Sequence, residues 1–312
     1  MKTIEKICII GVGGVGGYFG GMLAKSGICT TFVARGAHKA AIQKEGLTIK
    51  TDGSCQRVFP TKMVESLEQA GKQDLIILAT KAHQLENATE NLEKIVHKKS
   101  IIIPLQNGIS SKEILSQRVD SGNIMSGFCR ILAHRSSEGI VEISPQVKPT
   151  IIFGEAGGKT SQRAELLSEV LAKANIEFIF SKDIERAMWG KFMFICTGAL
   201  TAITRCSYPL LAQIPQTRKI LRDLICEVYT LGKARGVCLD EDMISRSMSS
   251  VERLDEDAIV SLRRDLDGGR ESEIEFQNGA VVRLCKDLGI ECPANEFAYG
   301  CVLAMEGRIE NE

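Results

Sequence analysis

The chain has 312 residues, enough for two domains of ordinary size, with 44% hydrophobic and 25% charged residues. That balance excludes a disordered chain. Lys plus Arg and Asp plus Glu number 39 each, so the net charge is zero, and no acidic or basic block points to nucleic acid or an anionic membrane surface.

In chain order, Met1 to Lys6 runs straight into a short apolar stretch, without the long apolar region and cleavage site of a signal peptide. No segment is read as the about 18 to 20 apolar residues that cross a bilayer, so a cytoplasmic protein without membrane partners is expected. Ile7 to Ile10 reads as a buried strand, followed by a glycine-rich turn and a helix from about Val15 to Lys25 that Gly27 ends. A second strand covers Thr30 to Ala34. Leu75 to Leu78 and Ile101 to Pro104 are continuous apolar runs, the mark of strands buried on both faces. Helical patterns separate them, one over Gln84 to Val96. Strand and helix in alternation predict a parallel, doubly wound Rossmann-type sheet, which the β-rich segments near Gly139–Val141 and Thr150–Phe153 are expected to extend. Beyond Phe180 to Asp183 the pattern turns helical, over Asp183–Ile203, Ile220–Arg235, Asp240–Val251 and Ser272–Leu288. The expected architecture is α/β, an N-terminal dinucleotide-binding domain over 1–182 and an all-α C-terminal domain over 183–312.

Eleven cysteines without a C-x-x-C pair, several inside apolar runs (Cys8, Cys196, Cys226), predict reduced core residues and no disulfide framework. The four histidines lack metal-ligand spacing, and no metal is expected.

The sharpest signal is Gly11-Val12-Gly13-Gly14-Val15-Gly16, a G-x-G-x-x-G placed between a strand and a helix. Gly11 permits the tight turn, Gly13 lets backbone approach a pyrophosphate, and Gly16 lets helix and strand pack closely. The helix N-terminus then offers free N–H groups to phosphate. An acid at the tip of the second strand would accept from the ribose hydroxyls of NAD; here the strand ends Phe32-Val33-Ala34-Arg35. The guanidinium of Arg35, with Lys39 nearby, suits a 2′-phosphate, so NADP(H) is the expected cofactor. Two further segments follow strands, Thr80-Lys81-Ala82 and Gln106-Asn107-Gly108. Lys81 is placed for cofactor or an anionic substrate, and Asn107 offers a donor and an acceptor near the nicotinamide ribose.

Gly11–Gly16, Arg35, Thr80–Ala82, Gln106–Gly108, Trp189-Gly190-Lys191, Leu200-Thr201-Ala202 and Gly269–Glu275, with Ser261 twelve residues before Glu273, together resemble the ketopantoate reductase family over almost the whole chain. The resemblance implies that Lys191 is the general acid, that Glu273 is its partner at the nicotinamide end of the site, and that Asn107 and Ser261 contact substrate. The residues agree with it: reduction of a 2-oxo acid needs a proton at the carbonyl oxygen, and Lys191 sits in an apolar helix where an ammonium held by a carboxylate can supply one. The implied reaction is NADPH-dependent reduction of 2-dehydropantoate to pantoate, towards pantothenate and coenzyme A. Where the family carries asparagines, this chain has Ile195 and Tyr208, and the segment Cys196–Leu200 is one residue shorter. Those changes remove polar partners for a hydroxylated substrate tail; Thr197, Thr201, Thr204 and Tyr208 are the candidates to replace them. Two other readings stay open, reduction of a 2-oxo acid with a less polar tail and a non-catalytic NADP(H)-binding regulator. The helical domain could also bury a second copy as a homodimer, though no exposed heptad demands one.

Overall fold

Continuous apolar runs, without alternation, build three strands of the first sheet. The computed structural model describes residues 3–256 and 258–307. β1 (Lys6–Ile10) leads through the glycine turn into α1 (Gly14–Lys25), then β2 (Cys29–Val33), α2 (Gly36–Glu45), the hairpin β3 (Leu47–Thr51) and β4 (Ser54–Val58), β5 (Lys62–Val64), β6 (Leu75–Leu78), α3 (Leu85–Ala88) and β7 (Ile101–Pro104). The order β5-β2-β1-β6-β7, parallel throughout, puts the reversal of winding beside β1, where open α/β sheets bind ligands. Every residue of β6 and β7 is buried, which is why their sequences do not alternate.

α4 (Ser111–Ser116), β8 (Ser126–Arg130), β9 (Ala133–Ser137), β10 (Ile140–Ile143), β11 (Thr150–Gly154), α5 (Gln162–Lys173) and β12 (Glu177–Phe180) follow. Here the sequence reading needs correcting. Ile140–Val141 and Thr150–Phe153 do not extend the parallel sheet but form two smaller sheets, ordered β4-β3-β10-β9 and β12-β11-β8. A hairpin turn at Gly139 (φ +74°) folds β10 back on β9 and sets it beside β3. The expected helix over Gln84–Val96 is also broken. Only α3 is α-helical; Thr89 Oγ1 donates to the Leu85 carbonyl, and Asn91 adopts a left-handed conformation that a helix cannot continue.

By packing, the described residues up to Gln106 with Ser110–Ile184 form a sheet unit, and Asn107–Ile109 with the described residues from Glu185 form a helical unit. The helices are α6 (Ile184–Cys196), α7 (Gly198–Thr204), α8 (Tyr208–Gln213), α9 (Pro215–Ala234), α10 (Met243–Glu252), α11 (Ser261–Asp267), α12 (Asn278–Leu288) and α13 (Pro293–Glu306). The centre of this unit is α9, whose buried Leu221, Leu224, Ile225, Val228 and Leu231 recur at helical spacing and pack with Trp189, Phe192 and Met193 of α6. Two expected helices start or stop elsewhere. Ile274–Phe276 form a 3-10 turn ahead of α12, with the Ser272 hydroxyl accepting from the Ile274 N–H. The run from Asp183 to Ile203 breaks at Thr197, whose Oγ1 donates to the Phe194 carbonyl. Ile184–Thr204 does meet the length and hydropathy of a membrane span (mean hydropathy 1.2), contrary to the sequence reading, but 56% of that window is buried inside the protein, as in a core helix.

Candidate active site

The sheet unit carries the residues expected to hold the cofactor. Gly11 has φ +89°, and a Cβ there would stand 2.7 Å from the Thr80 backbone nitrogen; a Cβ on Gly16 would stand 1.9 Å from the Gly11 carbonyl oxygen. No side chain fits at either position, so the turn and the first coil of α1 are locked against β1 and the start of the segment after β6. At Gly13, by contrast, the Cβ position has nothing within 4 Å. Gly13 is the N-cap of α1 and no side chain caps the helix. The open space and the uncapped N–H groups of Gly13, Gly14, Val15 and Gly16 fit a dinucleotide diphosphate.

At the carboxyl end of β2, Arg35 is the exposed N-cap of α2. Its Nε donates to the Glu65 carbonyl oxygen at 3.2 Å, and Lys39 Nζ lies 3.0 Å from Glu65 Oε1. The two cations thus share one neighbour, just past β5, that the sequence reading did not single out. At the ends of β6 and β7, Gln106 Nε2 donates to Thr80 Oγ1 at 3.3 Å, while Gln106 Oε1 is buried with no hydrogen-bond partner among the described residues. A buried acceptor left in that state beside the glycine turn is a second feature suited to a ligand. Lys81 heads the adjacent 3-10 turn and is half-buried.

The helical unit carries the other residues. Lys191 is half-buried on α6, next to the packed Trp189 and Phe192. Glu273, only 4% exposed, precedes the 3-10 turn before α12 and accepts from Asn107 Nδ2 at 3.0 Å. Asn107 and Glu273, 166 residues apart, are therefore brought together, and Asn107 directs one of its amide N–H donors to the carboxylate. Gly108 (φ +95°) makes this approach feasible, since a Cβ there would lie 2.7 Å from the Phe276 carbonyl oxygen. Asn278 Nδ2 donates to the Cys196 carbonyl, tying the start of α12 to the end of α6. Ser261 is half-buried at the first turn of α11.

The residues offered as replacements for the missing asparagines are turned inward. Tyr208 is fully buried and its hydroxyl pairs with Thr197 Oγ1 at 3.0 Å; burial pushes the phenol pKa up. Thr201 and Thr204 donate to the carbonyls of Gly198 and Leu200 within α7. Ile195 is half-buried and brings no polar group.

A parallel sheet with a glycine turn at its switch point gives the sheet unit the form of a dinucleotide-binding fold. The family models described as "Ketopantoate reductase PanE/ApbA" and its C-terminal counterpart match residues 7–158 and 183–306. The chain belongs to the ketopantoate reductase family, whose members are oxidoreductases. Among its relatives, the uncharacterized oxidoreductase YkpB of Bacillus subtilis strain 168 is 28% identical over 94% of this chain and 96% of its own length. A 2-dehydropantoate 2-reductase of Mesorhizobium japonicum is 28% identical, covering 98% of each. Among solved structures, a PanE/ApbA family ketopantoate reductase of Ralstonia eutropha JMP134 superposes with a TM-score of 0.87 at 25% identity, over 97% of this chain and 98% of that one. D-mandelate dehydrogenase with NADH and anilino(oxo)acetate gives the same TM-score, identity and coverage.

Proposed function

We propose that the protein is a cytoplasmic enzyme that reduces 2-dehydropantoate to pantoate with NADPH, a step towards pantothenate and coenzyme A. The observation that carries this reading is the buried Glu273–Asn107 pair in the same helical unit as the half-buried Lys191. Gly11 to Gly16 would hold the diphosphate, Arg35 and Lys39 the 2′-phosphate, and Lys81 would add positive charge near the bound ligands. When bound, the reduced nicotinamide supplies the hydride. The chain's own contribution is the proton. As negative charge develops on the carbonyl oxygen, Lys191 Nζ stabilises it and then protonates it. Glu273 would orient substrate, cofactor or that ammonium, and Asn107 fixes its carboxyl group. Ser261 would contact the substrate.

A specific observation favours a second reading. With Tyr208, Thr197, Thr201 and Thr204 donating or pairing within the protein, α6 and α7 keep few donors for a hydroxylated tail. A 2-oxo acid with a less polar tail would suit such a surface. Initial-rate measurements with NADPH over a panel of 2-oxo acids separate the two. The first reading expects kcat/KM for 2-dehydropantoate to exceed that of branched apolar and aromatic 2-oxo acids. The reverse order would establish the second reading, and no turnover of any 2-oxo acid would leave the NADP(H)-binding regulator.

A further inference from the structure

We propose that His38 is a positioning residue of the dinucleotide site: its ring holds the Val12 carbonyl so that the Gly13 N–H is aimed at the cofactor diphosphate. The inference rests on reading the glycine turn as that site. His38 lies on α2, three residues after Arg35, and is 5% exposed. Its Nε2 is 2.7 Å from the Val12 carbonyl oxygen, and its Nδ1 is 3.0 Å from the Gly139 backbone nitrogen. A carbonyl only accepts and a backbone N–H only donates, so the two bonds assign the ring: Nε2 carries a proton and Nδ1 accepts. Burial, the main influence on this ring, lowers its pKa and favours that neutral form.

The consequence for the loop follows from peptide geometry. In a trans peptide the C=O and the following N–H point in opposite directions. With the Val12 oxygen drawn to His38, the Gly13 N–H points away from that ring. Gly13 is the uncapped N-cap of α1, with open space where a Cβ would be. Because glycine accepts both orientations of the preceding peptide, nothing intrinsic to Val12-Gly13 selects this one. In the flipped orientation a carbonyl oxygen would face the diphosphate, replacing an attraction by a repulsion. His38 makes the selection, and it is itself anchored. The Gly139 N–H binds Nδ1, the Gly139 carbonyl accepts from the Thr48 N–H at 2.8 Å, and Gly139 sits at the β9–β10 turn. The charged groups facing the ring also come from that hairpin: Glu138 Oε2 is 3.4 Å from Nδ1, and Arg135 pairs with Glu138 at 3.6 Å. One side chain therefore joins the diphosphate turn to the helix that presents Arg35 and Lys39.

A buried histidine that merely filled space would be replaceable by any residue that keeps the fold. The test is NADPH affinity by fluorescence titration, with thermal melts, for wild type, His38→Gln, His38→Asn and His38→Leu. The amide nitrogen of Gln reaches the Nε2 position; Asn reaches only the Nδ1 position. His38→Gln is expected to keep the NADPH Kd within about threefold, while His38→Asn and His38→Leu weaken it about tenfold, the scale of one lost hydrogen bond. Asn binding as tightly as Gln, or Leu binding like wild type, would overturn the proposal. If His38→Leu does not fold, the contrast between Gln and Asn still decides. Gly13→Val separates the underlying reading. Wild-type NADPH affinity in that variant would remove the glycine turn as the cofactor site, whereas loss in Gly13→Val with no Gln–Asn contrast would remove His38 alone.

Discussion

The sheet unit and the helical unit present their candidate site residues through different materials. Around the glycine turn the candidate groups are backbone N–H groups, shaped by positions where a Cβ would collide with backbone, as at Gly16. In the helical unit they are side chains, Lys191, Asn107 and Glu273, from three segments far apart in sequence. A backbone site is intolerant of added volume and nearly indifferent to charge. A side-chain site is the opposite, because its groups can be truncated without disturbing the fold but not without changing the chemistry.

Five substitutions, two of them paired, test that contrast in falling order of effect. Gly16→Val forces α1 away from the turn; it should abolish measurable NADPH binding and lower stability by about 1 to 3 kcal/mol in a denaturant titration. Normal NADPH binding would show that the turn is not the anchor. Arg35→Ala should raise the KM for NADPH about tenfold or more with little change for NADH, as expected for one charge-assisted contact. Equal changes for both cofactors would remove the 2′-phosphate role. Asn107→Ala and Glu273→Ala, combined in a double-mutant cycle, should couple by about 1 kcal/mol or more in stability, since they share a buried hydrogen bond. Additive effects would break the pair. Tyr208→Phe should cost only about 1 kcal/mol, for the bond to Thr197, and leave NADPH affinity unchanged. A large change in substrate KM would instead put that hydroxyl in the site.

The His38 ring adds a dependence on pH. Its pKa is lowered in the folded protein, so the unfolded chain binds the proton more readily. The stability this contributes is complete above about pH 6.5 and is lost as the pH falls through the folded value. Melting curves in the His38→Gln variant should show a shallower decline below that pH than wild type.

The same contrast explains what the sequence disclosed. β6 and β7, and β1 beyond Lys6, were legible because strands buried on both faces are apolar throughout, and the glycine turn because close backbone approach leaves a spaced signature. β4 (Ser54–Val58) and β9 (Ala133–Ser137) were not, since most of their residues are exposed and polar, without alternation strong enough to read. α13 escaped notice too, its apolar face diluted by Gly300 and the exposed Phe297 and Met305. Lys191 and Glu273 were reached only through family resemblance, because no local pattern links positions so distant. His38 could not be found at all: its partners are backbone groups 26 and 101 residues away, and any buried histidine looks the same in a sequence. Glu65 matters through its contacts with Arg35 and Lys39 and Gln106 through its bond to Thr80, none of which spacing encodes.

The measurement that bears most directly on the whole account compares wild type with Lys191→Ala, following NADPH oxidation with the best 2-oxo acid and NADPH affinity in parallel. The account predicts that kcat falls by about 100-fold to 10,000-fold, as for loss of a general acid, while the NADPH Kd stays within about twofold. Turnover at the wild-type rate in that variant would contradict it.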